Sequence, residues 1–96
     1  MSRRELVRSH RAEILNAARR HGALSLQLFG SAARGDEVEG SDIDFVVELE
    51  PGRSLLDLGG LQNDLERLLG CRVDVVTGKG LRERIRARVL AEAVPV

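Results

Sequence analysis

Cysteine, lysine and large aromatic residues are nearly absent from this chain of 96 residues. The single cysteine, Cys71, excludes an intramolecular disulfide, so we expect a reducing compartment such as the cytoplasm. The two phenylalanines are the only aromatic residues. This is too few for a platform on which nucleobases stack, and we do not expect a nucleic-acid partner. No apolar run is long enough to span a bilayer, so we expect no membrane association either.

The charged residues balance, with 15 Lys plus Arg against 15 Asp plus Glu. Net charge therefore gives no argument for a nucleic-acid or membrane surface. The arginines cluster near the two ends of the chain, at Arg3, Arg4, Arg8, Arg11, Arg82, Arg84, Arg86 and Arg88. We interpret both clusters as solvated helix faces, with an anion- or partner-binding surface as the alternative. The length predicts one domain over residues 1–96.

Apolar periodicity predicts the order helix, strand, short helical turn, strand, helix, strand, helix. The predicted boundaries are a first helix from Ser2 to Gly22, a strand through Leu24–Leu28, a turn at Ser31–Arg34, an acidic loop over Asp36–Gly40, a strand over Asp42–Glu50, a helix ending at Gly70, a strand over Arg72–Thr77, and a last helix running close to Pro95. Helices between strands indicate the α/β (α+β) class with a small, three-stranded sheet flanked by helices.

Three aspartates carry the clearest chemical pattern in the sequence. Asp42 and Asp44 are two apart on a predicted strand, so both side chains project to the face opposite Ile43. Asp74 alternates with valines on a later strand. Its carboxylate can lie beside those of Asp42 and Asp44 if this strand neighbours theirs in the sheet. Converging carboxylates repel one another unless a proton or a cation is shared. Oxygen ligands without His or Cys suit Mg²⁺ or Mn²⁺, and two such ions clamp the oxygens of a phosphoryl displacement.

Gly30 and Ser31 form a Gly-Ser pair at the end of the preceding strand. A glycine there allows a phosphate group close to the backbone, Ser31 adds a hydroxyl donor, and Arg34 lies one turn further on to meet phosphate charge. Each part also has a structural reading. Gly-Ser pairs are common in loops, Asp42 fits a cap or a turn, and Asp74 fits a charge that protects an edge strand. The combination of these features favours a nucleotide site.

The stretch "GSAARGDEVEGSDIDFVV" resembles the signature of the DNA polymerase β-like nucleotidyltransferases. It is most similar to the minimal nucleotidyltransferases that are paired with HEPN proteins in bacteria and archaea. The resemblance covers nearly the whole chain and implies the nucleotidyltransferase fold with a small mixed sheet. It also implies roles for five residues. Gly30 and Ser31 would bind the nucleotide phosphates, Asp42 and Asp44 would hold both metal ions, and Asp74 would help hold the catalytic metal and activate the acceptor hydroxyl.

The same resemblance implies a function. Paired members of the family are similar to antitoxins that transfer AMP from ATP to a tyrosine of a HEPN toxin, and we expect this activity here, with two Mg²⁺ ions. A masking module that neutralises its partner by binding alone, and a subunit of an enzyme that modifies antibiotics, are the alternatives. A homodimer and a hetero-oligomer are both compatible with the sequence.

Overall fold

The structure, a computed structural model, describes residues 2–35 and 40–96, so the predicted acidic loop lies largely outside the described residues. The helices are α1 (Arg3–Ser9), α2 (Arg11–Arg20), α3 (Gly30–Arg34), α4 (Leu55–Leu69) and α5 (Glu83–Glu92). The strands are β1 (Ala23–Phe29), β2 (Ile43–Leu49), β3 (Val73–Thr77) and β4 (Val94–Pro95), with a 3₁₀ turn at Gly78–Gly80. None of the helices in these two segments is both long and apolar enough to cross a membrane.

The strands form one mixed sheet in the order β3-β2-β1-β4. Strands β2 and β3 are parallel, whereas β1 pairs antiparallel with both β2 and β4. The α/β class and the small mixed sheet are therefore confirmed, but the sheet has a fourth strand. The last helix was expected to run close to Pro95, whereas α5 ends at Glu92 and Val94–Pro95 pairs with β1. Proline has no N–H to donate, which is tolerated on an edge strand such as β4.

The predicted first helix is divided into two helices that meet at His10. The Ser9 hydroxyl donates to the Leu6 carbonyl at 2.9 Å, and His10 Nδ1 lies 3.1 Å from the same oxygen. Local side-chain bonds of this kind compete with the regular helical pattern. The prediction of one continuous helix was wrong for this reason, although its beginning was correct, because the Ser2 hydroxyl accepts from the Glu5 amide at 3.1 Å.

The apolar core lies on one face of the sheet. Ile43 and Phe45 of β2 are fully buried and belong to one cluster with Ile14 of α2 and Leu61 of α4. Because successive side chains of a strand point to opposite faces, Asp44 lies on the other face of β2. The burial of its two neighbours thus fixes the direction of this carboxylate.

Side chains of α4 cover the outer edge of β3. The Val73 amide donates to Glu66 Oε2 and the Val75 amide donates to Gln62 Oε1, each at 3.2 Å. Unpaired amides on an edge strand are a template for pairing with another chain. Helix α4 therefore both packs the core and protects the strand that carries Asp74.

Candidate active site

Two of the predicted aspartates are direct neighbours in the sheet. Asp44 is the second residue of β2 and Asp74 is the second residue of β3, and they are register partners in the parallel pair. Asp74 is exposed, whereas Asp44 is partly buried. Asp42 lies just before β2, outside the strand, although the strand was predicted to begin there. The strands that carry Asp44 and Asp74 are therefore neighbours in the sheet, which is the condition under which the sequence pattern brings these carboxylates together.

The environment of Asp44 disfavours its charged form. Burial, and then the negative charges of Asp74 and Asp42, raise its pKa to about 6, while the positive charge of Arg34 acts in the opposite direction. The carboxylate is therefore held ionised at neutral pH at a cost in free energy. A bound cation would remove this cost.

Gly30 is packed directly against the Asp44 side chain. It follows β1, whose last residue, Phe29, is the register partner of Asp44. Gly30 has a φ of 73°, and a Cβ atom built on it would lie 2.5 Å from Asp44 Oδ2. Only glycine fits both the left-handed backbone and this close approach. The sequence predicted that Gly30 leaves space for a phosphate; the structure adds that it leaves space for the carboxylate.

Ser31 and Arg34 lie on the short helix that begins at Gly30. Ser31 is partly buried, and Arg34 is the last residue of α3. Arg34 Nη1 donates to Glu92 Oε2 of α5 at 3.0 Å. This ion pair connects a predicted phosphate-binding residue to the C-terminal end of α5. Glu92 was not predicted, because nothing in its spacing relates it to the other site residues.

The donor set fits a hard divalent cation. The three aspartates offer only oxygen atoms, which Mg²⁺ and Mn²⁺ prefer. After burial, the negative charges of Asp74 and Asp42 contribute to the raised pKa of Asp44. Within residues 2–35 and 40–96, however, no three His, Cys, Asp or Glu side chains are arranged as a group that could hold a metal ion. The oxygen donors therefore suit Mg²⁺ or Mn²⁺ by their chemistry. In this arrangement, however, the side chains do not form a closed metal-binding group at Asp42, Asp44 and Asp74.

Comparison with known proteins identifies the family. The family model described as "Nucleotidyltransferase domain" matches residues 11–96, which include the Gly-Ser pair and all three aspartates. The chain belongs to the nucleotidyltransferase family. The resemblance seen in the sequence is thereby confirmed, and the protein is an enzyme of this kind. Membership of the family implies a nucleoside triphosphate substrate and, as is typical of the family, a divalent metal ion.

Two curated relatives resemble this nucleotidyltransferase over most of their length. A protein of Methanocaldococcus jannaschii, named as a candidate protein adenylyltransferase, is 46% identical over 77 residues, which cover 80% of this chain and 83% of the relative. The protein adenylyltransferase MntA of Thermococcus cleftensis is 38% identical over 91 residues, which cover 95% of this chain and 89% of the relative.

Solved structures agree with this assignment. A structure described as a candidate minimal nucleotidyltransferase superimposes with a TM-score of 0.89 at 47% identity, covering 100% of this chain and 97% of that one. A crystal structure of the toxin–antitoxin MntA–HpeT superimposes with a TM-score of 0.74 at 22% identity, covering 90% of this chain and 70% of that one. At that identity the second comparison shows the fold alone.

Proposed function

We propose that this nucleotidyltransferase transfers AMP from ATP to a hydroxyl group, expected to be a tyrosine, of a partner protein of the HEPN toxin type, and so acts as its antitoxin. The proposal includes Mg²⁺ dependence, a single domain over residues 1–96 and a cytoplasmic location. Support comes from the relatives, since two similar proteins are named for protein adenylylation and a structure of the same fold is a toxin–antitoxin complex.

One observation carries the proposal. Asp44 and Asp74 lie side by side in the sheet, and the glycine of the Gly-Ser pair contacts Asp44. The residues that would bind phosphate and the residues that would bind cations therefore meet at one point. A nucleoside triphosphate with its metal ions has the same two parts, and the metal ions bound with it would offset the repulsion among the carboxylates.

Each of the six residues has a role in the proposed transfer. Gly30 and Ser31 bind the phosphates of ATP, and Arg34 contributes positive charge beside them. Asp42, Asp44 and Asp74 would hold two ions, Mg²⁺ or Mn²⁺. When bound, these ions supply the charge that stabilises the attacking and leaving oxygens. The acceptor oxygen forms a bond to the α-phosphorus, the bond from that phosphorus to the bridging oxygen breaks, and pyrophosphate leaves. Asp74 accepts the proton of the acceptor hydroxyl.

Label transfer from ATP tests the reaction. The chain is incubated with Mg²⁺ and ATP labelled at the α-phosphate, together with the proteins that co-purify with it. ATP labelled at the γ-phosphate serves as the control for a kinase. Asp42→Asn and Asp44→Asn are tested beside the wild type, and Glu48→Gln, an exposed carboxylate further along β2, is the matched control. We expect label on a partner band from the α position only, lost in both Asp variants and kept in Glu48→Gln.

Other outcomes identify the alternatives. If no protein is labelled and both Asp variants still neutralise the partner, the chain is a masking module and the proposed transfer is wrong. If label appears only on a small molecule, the acceptor is not a protein, and the chain is a subunit of a different nucleotidyltransferase.

A further inference from the structure

Glu92 is the last residue of α5, and its carboxylate lies beside Arg34 of the proposed nucleotide site. Its Oε2 accepts from Arg34 Nη1 at 3.0 Å. Its Oε1 lies 3.8 Å from Nε of Arg88, which is one turn earlier in α5. Of these two contacts, the bond to Arg34 is the shorter, and it is the one that connects α5 to another element.

The position of Glu92 at the end of α5 is unfavourable for the helix itself. The C-terminal end of a helix carries partial negative charge from its unpaired carbonyl groups, which disfavours a carboxylate there and favours a cation. Glu83, in the first turn of α5, lies at the favourable end, whereas Glu92 does not. Helix stability therefore does not explain Glu92, while the guanidinium of Arg34 offsets its charge.

The backbone on both sides of Glu92 is held by the rest of the fold. Val89, one turn earlier, is buried. Val94, two residues later, is the register partner of Leu28 in β1. Leu28 is in turn two residues before Gly30, so the strand that carries the Gly-Ser pair also receives the end of α5. Strand pairing therefore places Glu92 next to the helix that begins at Gly30.

Arg34 lies at the end of a much shorter helix. It is the last of the five residues of α3, and its side chain is 44% exposed. An exposed arginine loses rotamer freedom when it binds a phosphate, and a partner that fixes it beforehand reduces this cost. A guanidinium has five N–H donors, so the bond from Nη1 to Glu92 does not prevent a bond to a phosphate oxygen.

The ion pair holds Arg34 at the site and not away from it. In its paired position, the positive charge of Arg34 acts on Asp44, because it lowers the pKa that burial, Asp74 and Asp42 raise. Asp44 contacts Gly30, the first residue of α3. The Glu92 carboxylate and the Gly-Ser pair therefore lie at opposite ends of α3, with the charge of Arg34 directed between them.

We infer that Glu92 is a positioning residue for the nucleotide site, which fixes the guanidinium of Arg34 where the phosphates of ATP bind. The inference rests on the proposed function in one respect, namely that Arg34 contacts the phosphates. It involves neither the acceptor protein nor the transfer step, and Glu92 itself touches no reacting atom.

The sign of the effect on ATP binding separates this role from two others. Glu92 and a triphosphate are both negative, so a carboxylate that acted by its charge alone would repel ATP, and its removal would tighten binding. A carboxylate that withheld Arg34 from ATP would also give tighter binding when it is removed. Removal of a positioning residue weakens binding instead.

Calorimetric titration of the full chain with Mg²⁺ and an ATP analogue that cannot be cleaved at the α-phosphate tests the inference. Glu92→Ala, Arg34→Ala and the double variant form a thermodynamic cycle. Glu92→Gln is a milder variant that keeps an oxygen acceptor. Two controls are Arg88→Ala, which removes the other cation beside Glu92, and Glu83→Ala, which removes the carboxylate at the other end of α5.

We expect Glu92→Ala to weaken binding of the analogue about fivefold, Glu92→Gln to weaken it less, and both controls to bind like the wild type. Because Glu92 acts through Arg34, Glu92→Ala should have no further effect when Arg34 is already alanine. A loss of affinity that came only from lower stability would be the same in both backgrounds. Tighter or unchanged binding in Glu92→Ala, or an equal loss in the two backgrounds, would overturn the inference.

A second measurement needs no nucleotide. The ¹⁵N heteronuclear Overhauser effect of the Arg34 Nε–H group, assigned by its absence in Arg34→Ala, should indicate an ordered side chain in the wild type and in Arg88→Ala, and a mobile one in Glu92→Ala. Equal mobility in the wild type and Glu92→Ala would overturn the inference and leave the proposed function untouched. Absence of analogue binding by the wild type would overturn both.

Discussion

Gly30 and Asp44 depend on each other at the scale of single residues. The Asp44 carboxylate lies so close to Gly30, directly after β1, that a residue with a side chain does not fit there. The φ of 73° at Gly30 also requires glycine. A substitution at Gly30 therefore combines backbone strain with displacement of a charged group. Gly35 is a control for the backbone strain alone, because it has a φ of 78° and, among residues 2–35 and 40–96 apart from its chain neighbours, no atom lies within 4 Å of a Cβ built on it.

We predict that Gly30→Ala lowers the rate of nucleotidyl transfer roughly 100-fold and that Gly35→Ala leaves the rate nearly unchanged. Both variants should lose about 1–2 kcal/mol of unfolding free energy, since an L-residue is strained in the left-handed region. Only Gly30→Ala displaces Asp44, and a displacement of about 1 Å at a reacting centre costs roughly 100-fold in rate. Transfer rates and thermal unfolding, measured side by side, separate the effects. Equal rates in the two variants would show that the contact with Asp44 is unimportant.

The raised pKa of Asp44 predicts a pH-dependent stability in the absence of metal. Its folded pKa is about 6 and its reference value is 3.8, so between these values the folded state binds more protons than the unfolded state. The free energy of unfolding should therefore fall as pH rises through this window. Asp44→Asn should stabilise the chain at pH 8 by about 1 kcal/mol, because the full shift of about two units is reduced by solvent screening at this partly exposed group.

Chemical unfolding in EDTA, followed by circular dichroism at pH 8 and at pH 5, measures this difference. The stabilisation by Asp44→Asn should shrink at the lower pH, where the wild-type carboxyl is protonated. Glu48→Gln, the exposed control on the same strand, should change the unfolding free energy by less than about 0.5 kcal/mol at either pH. A destabilising effect of Asp44→Asn at pH 8 would contradict the prediction.

At the scale of elements, helix α4 connects the core, the β3 edge and α2. His21, directly after α2, contacts α4 through a distance of 2.7 Å from its Nε2 to Asp64 Oδ2. The ring lies over Gly60, where a built Cβ would come within 2.7 Å of its Cε1 atom. At the adjacent Gly59, no described atom outside its chain neighbours and the local backbone of α4 lies within 4 Å of such a Cβ. Two neighbouring glycines of one helix thus differ in their contacts, because the His21 ring packs against Gly60 and not against Gly59.

We predict that Gly59→Ala stabilises the chain and that Gly60→Ala does not. Alanine in place of glycine inside a helix gains about 0.5–1 kcal/mol. At Gly60 the methyl group must move the His21 ring, and loss of the hydrogen bond to Asp64 costs about 1 kcal/mol, which cancels the gain. Urea unfolding of both variants at neutral pH gives the two values. An equal stabilisation by both variants would show that the His21–Asp64 hydrogen bond does not contribute to the free energy of unfolding.

Elements also show which features of the fold were predictable. Alternation of apolar and acidic residues placed Asp44 and Asp74 on strands with their carboxylates away from the core, and this is where they lie. The break at His10 depends on two side chains that bond one carbonyl, and β4 depends on β1 having a free edge to receive it. Neither the helix break at His10 nor the fourth strand is visible in the spacing of apolar residues along the sequence. Glu92 reaches Arg34 from a distant part of the sequence, so only the packing of α5 reveals the ion pair.

At the scale of the whole molecule, we predict that the 96 residues unfold as one unit. The apolar core cluster takes residues from α1, α2, α3, α4 and strands β1 to β3, so these elements share one core. Calorimetry should give an unfolding enthalpy of about 60–80 kcal/mol, equal to the van't Hoff value. A calorimetric enthalpy clearly above the van't Hoff value would indicate separate units and contradict the proposed single domain.

The most direct test of the proposed site is a Mn²⁺ titration followed by electron paramagnetic resonance, in the presence of an ATP analogue that cannot be cleaved at the α-phosphate. The wild type should bind about two Mn²⁺ ions per chain. The variant Asp42→Asn/Asp44→Asn/Asp74→Asn should lose this binding, while Glu13→Gln/Glu48→Gln/Glu83→Gln, which removes three exposed carboxylates, should keep it. Unchanged Mn²⁺ binding in the triple aspartate variant would contradict the assignment of the three carboxylates as the metal–nucleotide site.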